Sequence, residues 1–365
     1  MFRPITFTVG GTTYSCVRKL DERGSGELVL AQSHAQPGRA GLVVIKRMRA
    51  AEYPLERLRL VEEARLVRNM DHHALTRVLA VDTREHRPLV VMEYVEGLSL
   101  ERVLNRAARR HQPVSAPFAA SVAAQVADAL HYIHHLTDPH GQALQLVHRD
   151  VSPRNIHLSS EGEVKLSDFG AAFTPRPGHP ATPALCLKGD VAYSAPEVLR
   201  GEKPDARADL FSLGLVLFEM LTSKHLLDLP HAPAAPPLTR LFKRLVGKLR
   251  AEEQGWADPA ELAARAACIR PEDVERETAG VEPALRAVLH RALRVNPAER
   301  YAHASLMRME LRAYLASLPQ PFDAWNLREE LRELIVTSGR HHGEAQTSRA
   351  PIPAALGGRR LQRHS

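Results

Sequence analysis

The chain has 365 residues, of which 44% are hydrophobic and 25% are charged, and its formal net charge at pH 7 is +7. This composition is ordinary for a soluble globular protein. The 49 basic residues are mixed with 42 acidic ones, which favours a solvated surface with some attraction for anions over a nucleic-acid-binding face. We therefore expect no nucleic-acid partner.

The length favours one two-lobed domain with extensions, or two domains. The cysteines Cys16, Cys186 and Cys268 are far apart, as expected for a reducing compartment. The N-terminus has no apolar run of signal-peptide length. The longest apolar run, residues 210–221, is interrupted by polar residues and is too short to cross a bilayer. We expect a cytoplasmic protein without a membrane span.

The first third of the chain is predicted to be rich in β-structure. Residues 6–9 and 12–17 contain alternating β-forming residues on either side of two glycines, which predicts a hairpin. Helical periodicity extends over residues 52–70. Further strands are predicted at residues 28–31, 42–45 and 88–95.

Helices are predicted to dominate the rest of the chain. Ser115 with Pro117 forms a helix-start signal, and helical patterns extend from residue 205 to residue 318. Residues 228–280 begin with a proline-rich stretch and are predicted to be an insertion on the surface of the helical part. Residues 325–336 could form one amphipathic helix, whereas the composition of the residues after them predicts disorder.

Two short motifs carry the chemistry. Residues 148–155 read His-Arg-Asp-Val-Ser-Pro-Arg-Asn, and residues 168–170 read Asp-Phe-Gly. Together and in this order they resemble the catalytic loop and the metal-binding loop of protein kinases. The resemblance extends over about residues 14–316. It is to the eukaryotic-type Ser/Thr protein kinases, and most closely to their bacterial members.

This resemblance implies an α+β, two-lobed protein-kinase fold with ATP in the cleft between the lobes. The β-rich N-lobe would comprise about residues 14–95 and the helical C-lobe about residues 96–316, with the insertion at about 228–280. Residues 1–13 would be an N-terminal strand extension. Residues 317–365 would be a largely disordered C-terminal tail.

The resemblance also implies the roles of the polar residues. Asp150 would accept the proton of the attacking hydroxyl, and Asn155 and Asp168 would hold Mg²⁺. Lys46 would bind the α- and β-phosphates of ATP. Its helix partner is expected to be Glu63, the first residue of a Glu-Ala-Arg sequence that bacterial kinases carry there, in preference to the preceding glutamate.

The nucleotide pocket is implied in the same way. Met92 would be the gatekeeper, and the backbones of Glu93 and Val95 would pair with adenine. The glycine-rich loop of the family is eroded in this chain, where Gly26 keeps the last of its three glycines and Gly24 could compensate through a shifted turn. The remaining predicted nucleotide contacts are Leu20 and Leu28, on either side of this loop.

The resemblance also implies two structural contacts made by buried charged residues. Glu197 would pair with Arg300, because buried charges of this kind need partners. Asp209 would anchor the backbone of the catalytic loop.

Two departures from the family pattern affect the catalytic loop. Ser152 replaces a lysine that would face the transferred phosphate, and Asp190 replaces a threonine. Arg154 could supply the lost positive charge. In the family both replaced side chains meet the catalytic Asp, so we expect Asp190 near Asp150, where the two would repel unless a cation such as Arg154 lies between them.

The leading interpretation is an active Ser/Thr protein kinase that uses Mg-ATP and phosphorylates protein substrates in bacterial signalling. The alternative is a catalytically weak or inactive pseudokinase that acts as a signalling scaffold, which the eroded glycine loop would favour. A small-molecule phosphotransferase is disfavoured, because residues 195–197 read Ala-Pro-Glu, the protein-substrate platform of the family. Autophosphorylation is expected at Thr182 or Thr174, and at Thr182 first.

Overall fold

A computed structural model describes residues 5–23, 26–35, 41–48, 60–61, 63–64, 66–68, 70–83, 88–175, 190–228 and 259–345. Within these ranges the strands form a six-stranded sheet and a three-stranded sheet. Most of the helices follow the smaller sheet in the chain. The architecture is therefore the predicted α+β arrangement of a β-rich N-lobe and a helical C-lobe.

The larger sheet has the strand order β1-β2-β3-β4-β6-β5, and each neighbouring pair is antiparallel. Its strands are β1 Thr6–Val9, β2 Thr12–Arg23, β3 Gly26–Ser33, β4 Leu42–Met48, β5 Val78–Asp82 and β6 Leu89–Glu93. The sequence analysis did not predict strand β5, because the residues of its Val-Leu-Ala-Val stretch do not alternate between apolar and polar.

The predicted hairpin at the start of the chain is confirmed. Gly10 and Gly11 connect β1 to β2 with φ angles of +58° and +84°, and a two-residue hairpin turn with two positive φ angles favours glycine. Strand β2 continues to Arg23. The expected boundary between residues 13 and 14 therefore falls inside a strand, and β1 belongs to the N-lobe sheet instead of forming a separate extension.

The helical residues between 60 and 67, here called the Glu63 helix, lie between β4 and β5 in the chain. Leu60 and Ala64 are buried and pack with Val90 of β6. This contact places one face of the Glu63 helix against the sheet. The start of the predicted helix, residues 52–59, lies outside the described residues.

The smaller sheet has the strand order β7-β8-β9, in antiparallel pairs. Its strands are β7 Gly97–Ser99, β8 Ile156–Ser159 and β9 Val164–Leu166. Strand β8 directly follows residues 148–155, and β9 directly precedes residues 168–170. The hairpin of β8 and β9 therefore carries one sequence motif at each of its outer ends.

The C-lobe is built around two helices that are buried on nearly every side. No surface is exposed on Phe118 and Leu130 of the helix Ala116–His134, or on Phe211 and Phe218 of the helix Ala206–Thr222. None of the described helices is long and apolar enough to cross a membrane. The helices are α1 Leu100–Arg109, α2 Ala116–His134, α3 Pro196–Leu199, α4 Ala206–Thr222, α5 Pro259–Ala267, α6 Pro271–Glu277, α7 Pro283–Ala292, α8 Ala304–Ala316 and α9 Ala324–Ala345.

The predicted surface insertion needs a correction. Residues 229–258 lie outside the described residues, but α5 and α6 within the range 228–280 pack into the C-lobe. Leu262 of α5 is 1% exposed and Val274 of α6 is 2% exposed. Because these apolar side chains are buried, α5 and α6 are part of the folded C-lobe and do not form a surface insertion.

The predicted disordered tail also needs a correction. The amphipathic helix expected at residues 325–336 is present and continues as α9 to Ala345. Its residues Leu327, Leu331 and Leu334 are buried in the main hydrophobic core. Spaced three or four residues apart, they form one apolar face. Residues 346–365 lie outside the described residues.

Candidate active site

Lys46 of β4 is held between two carboxylates. Its Nζ lies 2.7 Å from Glu63 Oε1 and 2.8 Å from Glu63 Oε2, and 2.8 Å from Asp168 Oδ1. Burial by itself would lower the pKa of Lys46, but the carboxylates of Asp168 and Glu63 raise it. The predicted contact between Lys46 and Glu63 is thus present, and the lysine stays positively charged.

Asp168 follows β9 in a left-handed backbone conformation, with φ +68°. Its Oδ1 also accepts a 3.0 Å hydrogen bond from the backbone N–H of Gly170. Burial would raise the pKa of Asp168, but the ammonium group of Lys46 lowers it to about 2. The carboxylate is therefore ionised at neutral pH.

Gly170 leaves room for this charged cluster. A Cβ atom at this position would lie 3.0 Å from Asp168 Oδ1, 3.1 Å from Lys46 Nζ and 3.2 Å from Glu63 Oε2. These distances are shorter than ordinary contacts of a methyl group. A side chain at residue 170 would therefore push apart the three groups of the cluster.

Asp209 of α4 anchors the backbone of the catalytic loop, as predicted. Its fully buried carboxylate accepts 2.8 Å hydrogen bonds from the backbone N–H groups of His148 and Arg149. Arg149 has a φ of +61°, which is strained for a residue with a side chain. His134 Nε2 lies 2.8 Å from Asp209 Oδ2. These contacts hold the strained turn that precedes Asp150.

Asp150 is oriented by a backbone donor. The N–H of Asp190 donates a 2.7 Å hydrogen bond to Asp150 Oδ1. Burial and the nearby Asp168 carboxylate raise the pKa of Asp150 to about 7. A carboxyl group with this pKa can exchange a proton near neutral pH.

Asn155 has its amide group fixed by the loop itself. Its Nδ2 donates a 2.9 Å hydrogen bond to the backbone carbonyl of Asp150, so the amide nitrogen is committed and the amide oxygen is the group left to accept. The side-chain oxygens of Asn155 and Asp168 are hard donors of the kind that Mg²⁺ takes. This donor set fits the predicted divalent cation.

Arg154 does not lie between Asp150 and Asp190, contrary to the expectation from the sequence. Its guanidinium group contacts Glu101 of α1, with Nη2 3.2 Å from Glu101 Oε1. Asp190 turns its backbone N–H toward Asp150, and its side chain caps the following 3₁₀ turn at Ala192. The side chain that replaces the family's lysine, Ser152, is fully buried.

The predicted hinge follows the end of β6. The carboxylate of Glu93 is occupied, because it accepts a 2.9 Å hydrogen bond from the backbone N–H of Arg77 and lies 2.9 Å from Lys165 Nζ. Any contact of Glu93 with adenine would therefore come from its backbone. Met92 lies in β6 and Val95 follows the end of this strand.

The predicted glycine loop is the connection between β2 and β3. Leu20 lies in β2 and Leu28 in β3, where Leu28 is paired with Asp21. On its other side Leu28 is opposite Lys46 of β4. Gly26 begins β3, and Gly24 lies outside the described residues.

Of the two predicted phosphorylation sites, only Thr174 lies within the described residues. Thr174 is 4% exposed, and its Oγ1 donates a 2.6 Å hydrogen bond to the backbone carbonyl of Leu144. Its hydroxyl is therefore inaccessible to a phosphate donor in this conformation. Thr182 lies outside the described residues.

The predicted pair of Glu197 and Arg300 is present in the C-lobe. The guanidinium group binds both carboxylate oxygens, at 2.7 and 2.8 Å. Both residues are buried, and Arg300 also donates to the backbone carbonyls of Arg294 and Val295. The pair thus connects the short helix α3 to the segment between α7 and α8.

One residue near the site was not found from the sequence. Glu101, the partner of Arg154, lies in the first turn of α1, where an acidic residue is expected only for its interaction with the helix dipole. The backbone N–H of Glu101 also donates a 2.9 Å hydrogen bond to the carbonyl of Pro153. Glu101 and Arg154 are 53 positions apart, so no local signal could have indicated the contact.

The chain matches the family described as Protein kinase domain over residues 17–311. It is 34% identical over 274 residues to the tyrosine-protein kinase MasK of Myxococcus xanthus, a match that covers 71% of this chain and 40% of MasK. It is 31% identical over 325 residues to the serine/threonine-protein kinase PknB of Mycolicibacterium smegmatis, which covers 86% of this chain and 45% of PknB. The serine/threonine-protein kinase Pkn1 of Myxococcus xanthus is 29% identical over 309 residues, or 83% of this chain and 38% of Pkn1. The chain therefore spans less than half the length of these relatives.

Proposed function

The chain belongs to the protein kinase family, and we propose that it transfers the γ-phosphate of ATP to serine or threonine hydroxyls of protein substrates in bacterial signalling. The observation that carries this proposal is the charged cluster of Lys46, Glu63 and Asp168, joined by contacts of 2.7–2.8 Å. Phosphoryl transfer in protein kinases depends mainly on positioning and charge stabilisation. A preformed cluster provides both.

Asp150 is the proposed base. Its Oδ1 is oriented by the Asp190 N–H, and its pKa of about 7 lets it be ionised before the hydroxyl attacks and protonated afterwards. The strained turn at Arg149, held by Asp209, aims the loop that carries it. Proton acceptance therefore rests on a carboxylate whose position is fixed by its own loop and by a backbone donor from another segment.

Lys46 is the proposed ligand of the α- and β-phosphates. Because two carboxylates raise its pKa, it stays charged when an anionic nucleotide approaches. Glu63 binds the ammonium group through both oxygens and so limits the positions that Nζ can take. The pair thus presents one fixed positive charge to the phosphates.

Asn155 and Asp168 are the proposed holders of Mg²⁺. When bound, the ion would neutralise charge on the β- and γ-phosphates. Asp168 supplies an ionised carboxylate, since its pKa is about 2. Asn155 supplies an amide oxygen whose direction is set by the bond from its nitrogen to the Asp150 carbonyl.

The proposed adenine site is the hinge after β6. The backbones of Glu93 and Val95 would pair with the base, and Met92 would be the gatekeeper. Leu20 and Leu28 on the adjoining strands would cover the ring. Backbone at Gly24 and Gly26 would approach the phosphates.

Arg154 is proposed as a second cation for the transferred phosphate, in place of the lysine that the family carries at position 152. It would first have to leave Glu101, which is 42% exposed in its side chain. A pair that is this exposed to solvent is worth about 0–1 kcal/mol. The arginine can therefore exchange this partner for a phosphate at little cost.

The acceptor residue is the part of the proposal that has a second candidate. MasK is named a tyrosine-protein kinase, whereas PknB and Pkn1 are named serine/threonine-protein kinases. Phosphoamino-acid analysis of substrate phosphorylated by this chain would separate the two. We expect phosphoserine and phosphothreonine.

The pseudokinase alternative is not favoured, because the chain has all five polar residues proposed for catalysis and for phosphate and metal binding: Lys46, Glu63, Asp150, Asn155 and Asp168. The deciding experiment is incubation of the purified chain with labelled ATP, Mg²⁺ and a generic protein substrate, with Asp150→Asn as the comparison. Label transfer by the wild-type chain that Asp150→Asn loses would support the proposal. Equal labelling by both proteins, or none by either, would contradict it.

A further inference from the structure

A group of histidines lies away from the ATP cleft, where residues 70–75 pack against α2. The backbone N–H of Asp71 donates a 3.1 Å hydrogen bond to the hydroxyl of Tyr132. The ring of His72 stacks on the ring of Tyr132, with centroids 4.9 Å apart. The connection that follows the Glu63 helix is therefore held closely against a C-lobe helix.

His72, His73 and Asp128 bring three possible metal ligands together. One side-chain donor atom of each lies within 4.8 Å of the other two. His73 Nε2 lies 3.7 Å from Asp128 Oδ2, which is too long for a hydrogen bond. Two ligands of one tetrahedral Zn²⁺ ion lie about 3.3–3.4 Å apart, given bond lengths of about 2.0–2.1 Å. A small movement of the exposed His73 side chain would close this difference.

The carboxylate of Asp128 is held in place from its other side. Arg308 of α8 contacts Oδ1, and Arg312 Nη2 is 3.5 Å from Oδ2. The two arginines reduce the negative charge of the site, but the Arg308 contact also fixes the direction of the carboxylate, as partners of metal ligands do. Oδ1 is thus occupied by Arg308, whereas Oδ2 lies between Arg312 Nη2 at 3.5 Å and His73 Nε2 at 3.7 Å.

His72 contributes a partly buried imidazole to this group of ligands. The backbone N–H of Ala74 donates a 3.2 Å hydrogen bond to its Nδ1. Ligation through Nε2 would place the ring proton on Nδ1, so the bond from Ala74 would be lost and the ring would turn to separate the two N–H groups.

The cavity beside these residues contains two more imidazoles. It has a volume of about 420 Å³ and is lined by His72 and Asp128 together with His131 and His135. His131 Nδ1 is buried and has no hydrogen-bond partner among the described residues. His135 Nδ1 lies 2.8 Å from the carbonyl of His131 and donates to it, which leaves its Nε2 as an acceptor. The cavity therefore has room for water and a further ligand to complete a coordination shell.

We propose that His72, His73 and Asp128 bind one divalent transition-metal ion, with Zn²⁺ the best chemical match. Two imidazoles and one carboxylate suit zinc better than Mg²⁺ or Ca²⁺, which prefer all-oxygen sites. The ion would clamp residues 70–75 to α2. Because the backbone of Met70 bonds to Val67 at 3.1 Å, the clamp would also restrict movement of the Glu63 helix.

The test is a zinc titration by calorimetry on the untagged full chain, without nucleotide or Mg²⁺. We expect one Zn²⁺ per chain in the wild type and at least tenfold weaker binding in His73→Ala. The His73 side chain is 66% exposed, so its removal should not disturb folding. His140→Ala is the matched control, since His140 is exposed and lies outside the cluster; it should bind zinc like the wild type.

Thermal unfolding gives a second readout. Zn²⁺ at a hundredfold excess over its Kd should raise the Tm of the wild type, through about 2.7 kcal/mol of added stability. The same zinc concentration should raise the Tm of His73→Ala much less. Binding of equal strength in wild type and His73→Ala would overturn the proposal, as would the absence of any binding. Loss of binding in His131→Ala but not in His73→Ala would place the ion at the other imidazoles and would overturn it too.

Discussion

The backbone N–H of Asp190 donates a 2.7 Å hydrogen bond to the carboxylate of Asp150. A backbone donor does not depend on the side chain at that position, so an aspartate can stand where the family carries a threonine. The carboxylate of Asp190 faces the N–H of Ala192 instead. The two aspartates can thus lie side by side, because Asp190 donates its backbone N–H to Asp150 while its carboxylate accepts a hydrogen bond at the following 3₁₀ turn.

Lys46→Met should lower the rate of phosphate transfer by at least about a hundredfold. The change removes the charge that faces the phosphates, and one such contact is worth about 2.7–4 kcal/mol in the transition state. Steady-state kinetics with labelled ATP would measure it, and circular dichroism would check the fold. Lys224→Met is the control, because Lys224 is 59% exposed and pairs with Glu277 far from the cleft. Near-normal turnover of Lys46→Met would mean that another residue binds the phosphates.

The rate should fall as the pH is lowered through the range in which Asp150 takes up a proton. Its pKa is raised to about 7, and only the ionised carboxylate can accept the proton of the attacking hydroxyl. Below that pKa, kcat/KM should drop about tenfold per pH unit. A cation held by Asp168 would offset the charge of that carboxylate and move this limb to lower pH. A profile that is flat from about pH 5 to pH 8 would argue against Asp150 as the base.

Arg154→Ala should lower the maximal rate by about a hundredfold, or about 2–4 kcal/mol, if the arginine stabilises charge on the transferred phosphate. Nucleotide affinity should change less, since that charge develops in the transition state. Glu101→Gln, which frees Arg154 from its partner, should leave the rate equal or higher. An unchanged maximal rate with a raised KM for the protein substrate would assign Arg154 to substrate binding instead.

Autophosphorylation should occur at Thr182 and not at Thr174. The hydroxyl of Thr174 is buried and already donates to the Leu144 carbonyl, so phosphate there would break this bond and bury a charge. Mass spectrometry of active protein, with Thr182→Val and Thr174→Val as paired variants, would locate the phosphate. Phosphate on Thr174 in wild-type protein would show that the segment opens.

Leu331→Ala should destabilise the chain by about 2–4 kcal/mol, because a buried leucine is truncated. Leu331 is 2% exposed on the face of α9 that enters the main core. Denaturant unfolding would measure the difference in free energy. Arg332→Ala, at a neighbouring position whose side chain is 69% exposed, should change the stability by less than about 0.5 kcal/mol. Equal stability of both variants would mean that α9 does not belong to the folded domain.

The chemistry of the site could be predicted from the sequence because it resides in short motifs. Asp150, Asn155 and Asp168 are identified by residue type and by their spacing within one short stretch of the chain. Lys46 with Glu63, and Glu197 with Arg300, could be assigned as pairs because the family resemblance places them and a buried charge needs an opposite charge. The strands and helices with regular periodicity were predicted for a similarly local reason.

The tertiary structure decided what no local signal contains. Arg154 contacts Glu101 rather than a neighbouring aspartate, and Asp190 turns its amide instead of its carboxylate toward Asp150. From the sequence, residues 228–280 were predicted to be a surface insertion and residues 317–365 a largely disordered tail. However, apolar faces of α5, α6 and α9 are buried against partners that are distant in the chain. The sequence by itself therefore determined the fold class and the identity of the polar residues in the candidate site, because these follow from patterns within short stretches of the chain. Only the folded chain decided which charges meet and which helices complete the core, because those depend on contacts between residues far apart in sequence.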